Sequence, residues 1–219
     1  MTLSSEQLRQ AVAEMKTEQV KRGFKQSVEL VLTLRDIDVK KQEVNINEVV
    51  YFPHKFSQEA SVCIFASGDL ALRARKAGTD RVIEPEELDR IAASKRELKK
   101  IARTYSFFLA EPQLMPKIGK IFGQFLGPRG KMPSPVAAGA PIESIVGRLR
   151  YAIRVKARGQ MAIACKIGEE GMADEAISEN ALSVISAVEK KLPSGSKNIG
   201  RAIIKLAMGQ PRVIPMGAR

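Results

Sequence analysis

Hydrophobic residues recur with two different periods in the first part of the chain. Leu8, Val12 and Met15 recur at the spacing of one helical face. From Ser27 the stretch SVELVLTL places an apolar residue at every second position, as a half-buried strand does. The pattern predicts an N-terminal helix and then a half-buried strand, with a second strand over 47–52.

The middle of the chain alternates between short apolar runs and longer amphipathic stretches. Strands are predicted over 62–66, 81–83 and 105–110. Helices are predicted near 69–77, 85–102, 112–122 and 142–151. Pro85 and Pro112 suit the first turn of a helix. Such alternation indicates a three-layer α/β unit with a parallel sheet.

The last part of the chain completes a domain that the first part begins. Strands are predicted over 153–158 and 161–167, joined as a hairpin through Arg158-Gly159-Gln160, and then a helix over 174–191 and a strand over 201–208. Neither end of the chain alone has enough elements to bury a core. We therefore predict that 1–55 and 153–219 form one α+β domain, into which 56–152 is inserted as a second domain. The two chain crossings between them would form a hinge.

Composition favours a soluble protein with a polyanionic partner. The 219 residues are 44% hydrophobic and 27% charged, and the formal net charge is +12. Such a charge favours nucleic acid first and an anionic membrane second as the partner, but no apolar run approaches membrane-spanning length. Cys63 and Cys165 are predicted to be buried thiols in a reducing compartment. The N-terminus lacks the pattern of a signal peptide, which predicts a cytoplasmic protein.

Positive charge is concentrated in two stretches without any acidic residue. From Lys190 to Arg219 there are seven basic residues, and from Arg154 to Gly168 there are four, namely Arg154, Lys156, Arg158 and Lys166. The spacing of the first three would place them on one face of a strand. Solvated charge is one explanation of these runs, and contact with a phosphate backbone is the other. Because aromatic residues are only 5% of the chain, recognition of a folded RNA by shape fits better than stacking on bases.

Catalytic and nucleotide-binding motifs are missing from the sequence. The only histidine, His54, has no Cys or carboxylate at metal-ligand spacing and is predicted to be a solvated loop residue. In IFGQFLGPRGKMPSP (121–135), the pair Gly130-Lys131 suggests a P-loop. A P-loop would also need glycine at position 125 and Ser or Thr at 132, where Phe125 and Met132 stand. We therefore predict no enzyme, no metal and no cofactor; the alternative is a nucleotide-binding switch or enzyme that uses the inserted domain.

Four ordered segments resemble one known family, the L1 family of large-subunit ribosomal proteins of the mobile stalk. They are GKIFGQFLGPRGKMPSP (119–135), FKQSVELVLTLRDID (24–38), IRVKARGQ…KIG followed by MADEAISENA (153–181), and KLAMGQP (205–211). The short tail and FKQSVEL resemble the archaeal branch. The first segment would carry the family signature loop, formed by Gly127, Pro128, Arg129, Gly130, Met132 and Pro133. We expect this loop to shape the surface of the inserted domain near the interdomain cleft, not to hold phosphate.

The resemblance implies an RNA-binding α+β domain with an inserted Rossmann-like α/β domain. It also implies binding to stalk ribosomal RNA, help in releasing deacylated tRNA from the exit site, and repression of translation on the protein's own mRNA. The protein would be cytoplasmic, on the ribosome, and monomeric when off it. By position the family's RNA contacts fall on Phe24, Ser27, Glu29, Met208 and Gly209.

To these contacts we add seven cations of the same predicted domain: Lys25, Arg154, Lys156, Arg158, Lys166, Arg201 and Lys205. Phe24 and Met208 have core packing as an alternative role. Ala207 stands where the family usually has Thr, which removes one hydroxyl contact.

Overall fold

The computed structural model describes residues 4–17, 20, 22–37, 45–137 and 139–214. The helices are α1 (Ser5–Thr17), α2 (Gly68–Lys76), α3 (Pro85–Ala92), α4 (Lys95–Thr104), α5 (Met115–Leu126), α6 (Ile142–Leu149) and α7 (Asp174–Glu189). The strands are β1 (Ser27–Leu34), β2 (Asn45–Tyr51), β3 (Val62–Phe65), β4 (Arg81–Ile83), β5 (Phe107–Ala110), β6 (Ser134–Pro135), β7 (Ala152–Arg158), β8 (Ala162–Glu169), β9 (Ile199–Leu206) and β10 (Arg212–Ile214). The predicted mixed α/β class is confirmed.

The chain divides into two compact units. Unit 1 combines Met1–Ser57 with Ala152–Arg219, and unit 2 is Gln58–Tyr151. None of the helices within the described ranges is long and apolar enough to cross a membrane.

Unit 1 is built on an antiparallel sheet in the order β10-β9-β1-β8. The alternation predicted for β1 is confirmed, since its even-numbered residues from Val28 to Leu34 are buried and the odd-numbered ones are partly exposed. The buried face packs in one apolar cluster with side chains of α1 and α7, including Leu8 and Val184. The other face of the sheet is partly exposed and is therefore available to contact a partner.

A second, two-stranded sheet in unit 1 corrects the predicted hairpin. β7 pairs with β2, and β8 pairs with β1, so the two strands that flank Gly159 belong to different sheets. Gly159 has a φ of 64°, as a tight turn requires. The prediction of a turn at Gly159 is confirmed, but the two strands that flank the turn pair with strands distant in sequence and not with each other.

Unit 2 has a parallel sheet in the order β4-β3-β5-β6, with helices packed on it. Helices α3, α4 and α5 share one apolar cluster with Phe65 and Phe108 of the sheet. The single helix predicted near 85–102 is two helices, because Ser94 caps a new one by accepting a hydrogen bond from the Glu97 amide.

Both cysteines are free and buried, Cys63 in unit 2 and Cys165 in unit 1. Burial raises the pKa of each thiol to about 12. Because thiolate is the reactive form, we expect neither cysteine of the native protein to react with iodoacetamide at neutral pH. Mass spectrometry should find both alkylated after unfolding in guanidinium; rapid labelling of either one under native conditions would contradict their burial.

Candidate RNA-binding surface

The start of β1 and the turn after β9 meet around one buried side chain, Gln26. Its Oε1 accepts a hydrogen bond from the Met208 amide at 3.1 Å, although the side chains on either side of it in sequence are not buried. The Ser27 carbonyl accepts from the Ala207 amide at 3.0 Å. These bonds join the two segments that the sequence predicted to act together, and Gln26 itself was missed. The sequence feature that could have indicated Gln26 is its position as a polar residue directly before a strand of alternating pattern.

Two large apolar side chains are exposed at this junction. Phe24 is 52% exposed and Met208 is 60% exposed. The alternative role in the core is therefore wrong for both residues. Because the Gln26 hydrogen bond joins their two segments, both side chains are exposed in one region, and grouped exposed apolar side chains are typical of a surface that contacts a partner.

Gly209 lies in the turn that follows β9, where its amide donates to the Leu206 carbonyl at 3.0 Å. A Cβ at this position would lie 2.9 Å from the Cβ of Leu206. Larger residues at position 209 would therefore displace Leu206, which is fully buried. Substitutions of Gly209 would therefore lower stability, whereas substitutions of the exposed Met208 would leave the core intact.

A row of alternating charge crosses the exposed face of the sheet below this junction. Glu29 of β1 is paired in register with Lys205 on β9 and with Lys166 on β8. The Lys205 Nζ lies 3.8 Å from Glu29, and the Lys166 Nζ lies 2.9 Å from Glu169. Each lysine of the row thus has a carboxylate beside it.

Glu169, at the end of this row, accepts hydrogen bonds from several donors. Hydrogen bonds from Ser57, together with Lys166, hold the pKa of its carboxyl below the ordinary value. Because the pKa of Glu169 is lower in the folded protein than in the unfolded chain, these interactions stabilise the fold fully at pH values above the unfolded-state pKa. The stabilisation is lost as the pH falls through the folded-state pKa. Lys166 also lies over the ring of Phe56, 5.0 Å from its centroid.

The remaining predicted cations of unit 1 lie away from the junction. Arg201 is paired in register with Thr33, about 20 Å along β1 from Ser27. Arg154, Lys156 and Arg158 do share one face of a strand, since Val155 and Ala157 between them are buried. That strand is β7, in the two-stranded sheet, and its partner places Asn45 and Asn47 beside Arg158 and Lys156. Burial lowers the pKa of Arg154, which donates to Asn47 at 3.3 Å.

Lys25 precedes Gln26 and is exposed. The structure therefore brings one group of the predicted RNA contacts to the junction and the charged row below it: Phe24, Lys25, Ser27, Glu29, Lys166, Lys205, Met208 and Gly209. Arg154, Lys156, Arg158 and Arg201 form no part of that group. Of the acid-free C-terminal run, Arg219 lies outside the described residues.

The signature loop lies in unit 2, at the end of α5. Gly127 ends that helix, and a Cβ there would lie 2.7 Å from the Gly123 carbonyl oxygen. Gly130 has a φ of 65°, which favours glycine. Met132 is exposed and Pro133 is buried, just before β6 joins the edge of the sheet. Pro128 and Gly130 therefore belong to a turn that ends a helix and starts an edge strand.

The two cations of the signature loop donate hydrogen bonds to backbone carbonyls of unit 2. Arg129 donates to the Phe125 carbonyl at 2.8 Å. The Lys131 Nζ donates to the carbonyls of Ala102 and Tyr105, at 3.2 and 2.6 Å, and so caps the end of α4. These contacts give the loop an architectural role and argue against a phosphate cradle.

His54 is not merely solvated, which corrects its predicted role. Its Nε2 lies 2.7 Å from a carboxylate oxygen of Glu179, and its backbone is held by the fully buried Asn180. Within the part of the chain that the structure describes, no group of His, Cys, Asp and Glu side chains could hold a metal ion.

The sequence matches the model of the ribosomal protein L1p/L10e family over residues 14–210. The chain belongs to this family. The match spans parts of both compact units and includes every residue of the junction. It confirms the resemblance found in the sequence, and with it the predicted location on the cytoplasmic ribosome.

Individual L1p/L10e relatives cover most of the chain. The large ribosomal subunit protein uL1 of Cenarchaeum symbiosum is 48% identical over 189 residues, which are 86% of this chain and 87% of that protein. Its counterpart from Thermofilum pendens is 45% identical over 192 residues, 87% of this chain and 84% of that one. The uL1 protein of Methanocaldococcus jannaschii is 40% identical over 207 residues, or 94% of each. These names describe a ribosomal component and not an enzyme.

Proposed function

We propose that this chain is a structural, non-enzymatic constituent of the large ribosomal subunit that binds ribosomal RNA through the junction of β1 and the turn after β9. Family membership supports the ribosomal assignment. The observation that carries the proposed site is the exposure of Phe24 and Met208 on either side of Gln26, which holds the Met208 amide. The stalk region of the ribosomal RNA is the proposed ligand.

The chemistry of the junction suits ribose and phosphate. Exposed apolar side chains can pack on ribose or on an unstacked base, and the half-exposed Gly209 lets the backbone approach the RNA closely. The lysines of the neighbouring row supply positive charge, while Glu29 can accept a hydrogen bond from a 2′-hydroxyl. Since each lysine has a carboxylate beside it, shape and hydrogen bonding carry more of the recognition here than net charge does.

Replacing Met208 by Asp tests the proposed site. The exposed position tolerates the change sterically, and a carboxylate there would face RNA phosphates. We expect about 10- to 100-fold weaker binding to a stalk ribosomal RNA fragment, which is roughly 1.4 to 2.8 kcal/mol. Filter binding or fluorescence anisotropy at fixed salt would measure it, with the thermal unfolding midpoint of the variant compared with that of the parent.

Leu72→Asp provides the matched control. Leu72 is 56% exposed, close to the value for Met208, and lies on α2 in unit 2. It should leave the affinity within about twofold of the parent value. Equal affinities for Met208→Asp and the parent protein would rule out the junction as the binding site.

We further propose that the two compact units are separate domains and that the protein is a monomer away from the ribosome. As a stalk component it would aid release of deacylated tRNA from the exit site. By binding a mimic of its ribosomal site on its own mRNA, it would repress its own translation. The same junction would serve both RNAs, so Met208→Asp should weaken binding to the leader of that mRNA by a similar factor.

A further inference from the structure

Helix α4 of unit 2 carries a continuous stripe of positive charge. Its sequence, KRELKKIART, holds five basic residues and one acid. Leu98, Ile101 and Ala102 are buried against the core of the unit. At about 100° per residue, the five exposed cations fall within one arc of about 140° that contains no buried and no acidic residue: Lys95, Arg96, Lys99, Lys100 and Arg103. We refer to these five residues as the α4 stripe.

The acidic residues of unit 2 do not neutralise the α4 stripe. Four of them are ion-paired with cations on other elements: Glu59 with Arg150, Glu84 with Arg75, Glu87 with Arg81, and Asp89 with Lys117. Within the described residues, none of the five stripe side chains forms an ion pair. Over 56–152 the charge is +6, from 16 basic and 10 acidic residues, and α4 alone contributes +4.

The stripe works against the stability of the helix that bears it. Like charges lie one turn apart at 95 and 99, 96 and 100, and 99 and 103. Each such pair costs roughly 0.2 to 0.5 kcal/mol. Lys95 and Arg96 also occupy the first turn, where the helix dipole disfavours cations. Only Arg103, in the last turn, is favoured by the helix dipole, whereas a bound polyanion would relieve the repulsion between the other cations.

We infer that the α4 stripe is a second RNA-binding surface, which contacts the phosphate backbone of an RNA helix without regard to sequence. The ten residues of α4 extend about 15 Å, long enough to meet several consecutive phosphates. No aromatic side chain lies among the exposed residues of the helix, so neither stacking nor base recognition is expected.

Chemistry favours RNA over an acidic protein as the ligand. Protein interfaces are usually centred on apolar or aromatic anchors, and none of the exposed large apolar side chains lies on α4. Phosphate contacts need only charge. Membership of a ribosomal protein family also favours RNA as the polyanion. The test of the stripe does not depend on the proposed junction.

The test compares two double variants with the same change in charge. Lys99→Gln with Arg103→Gln removes one lysine and one arginine from the stripe. Lys76→Gln with Arg148→Gln removes the same two residue types from exposed positions on α2 and α6. The probe is an RNA duplex of about 20 base pairs with arbitrary sequence and no loop, bound to the full chain and followed by anisotropy over a salt series.

The stripe variant should bind the duplex roughly tenfold more weakly at low salt, and the slope of log K against log salt should fall by about 1 to 2. The control pair should stay within about twofold of the parent, as should the charge-preserving pair Lys99→Arg with Arg103→Lys. The thermal midpoint of the stripe variant should stay close to that of the parent, because the repulsion relieved at Lys99 offsets the helix-end charge lost at Arg103.

Poly-glutamate, a mimic of an acidic protein, serves as a second probe. Equal losses of duplex affinity in the stripe and control pairs would overturn the proposal, as would unchanged duplex binding by the stripe variant. A stripe variant that lost affinity for poly-glutamate alone would point to an acidic protein as the ligand. Binding to the stalk fragment by Met208→Asp tests the junction, and binding to the duplex by the stripe variant tests the stripe. The failure of the junction and the failure of the stripe are therefore distinguishable.

Discussion

Replacing Phe122 by Ala will destabilise unit 2 by about 3 to 5 kcal/mol while leaving the RNA affinity of unit 1 unchanged. Phe122 of α5 is fully buried, and its ring meets that of Phe65 edge-on with centroids 5.4 Å apart. Truncation would leave a cavity between α5 and the sheet and would remove the aromatic contact. Urea unfolding followed by circular dichroism, alongside binding of the stalk RNA fragment, would measure both effects.

Phe125→Ala on the same helix is the matched control. Phe125 is only partly buried against the same cluster. Since less apolar area is lost, we expect a cost of about 1 to 2 kcal/mol. If the Phe122 variant lost affinity for the stalk fragment while unit 1 remained folded, and Lys99→Gln with Arg103→Gln lost none, unit 2 would have to support the junction directly. The proposal of two separate domains would then be wrong.

Asn180→Ala will cost unit 1 about 3 to 4 kcal/mol of unfolding free energy. The fully buried amide of Asn180 accepts from the His54 amide at 3.2 Å and donates to the carbonyls of His54 and Ile167, at 3.1 and 3.0 Å. Truncation leaves three backbone groups without these partners, and the carbonyl of Ile167 among them is fully buried. Because Ile167 is next to Lys166 on β8, the charged row beside the junction should also loosen.

The shift in denaturation midpoint at constant slope measures this cost. Ser183→Ala on the same helix is the control, since its hydroxyl donates to the Glu179 carbonyl in an exposed position. It should change stability by no more than about 0.5 kcal/mol. A cost for Asn180→Ala as small as that of the control would show that water replaces the lost hydrogen bonds.

Local patterns predicted the elements well, because each pattern reports on neighbours within a few residues. The alternation from Ser27 to Leu34 states which face of β1 is buried, and the structure agrees residue by residue. The apolar pattern predicts one helix near 85–102, whereas Ser94 caps a second helix within that range. The residues of the junction were found through family motifs, whereas Gln26, which organises them, belongs to no repeating pattern.

Pairing between distant residues was less predictable. The run from Arg154 to Gly168 has no acid in sequence, but Glu29 of another strand faces Lys166 in register. Likewise, the turn at Gly159 suits a hairpin, and β7 nevertheless pairs with β2. A short stretch of sequence does not show which distant strand will pair with it in the folded protein.

The sequence by itself determined the family, the buried and exposed faces of the main strand, the excess of positive charge and the absence of a P-loop, since each follows from residue type and short spacing. Only the tertiary structure decided which charges are neutralised, which glycines and cations serve the fold, and that α4 presents its cations to solvent. Coulomb forces and hydrogen bonds act across distances in space. Their partners in this chain are often more than a hundred residues apart in sequence.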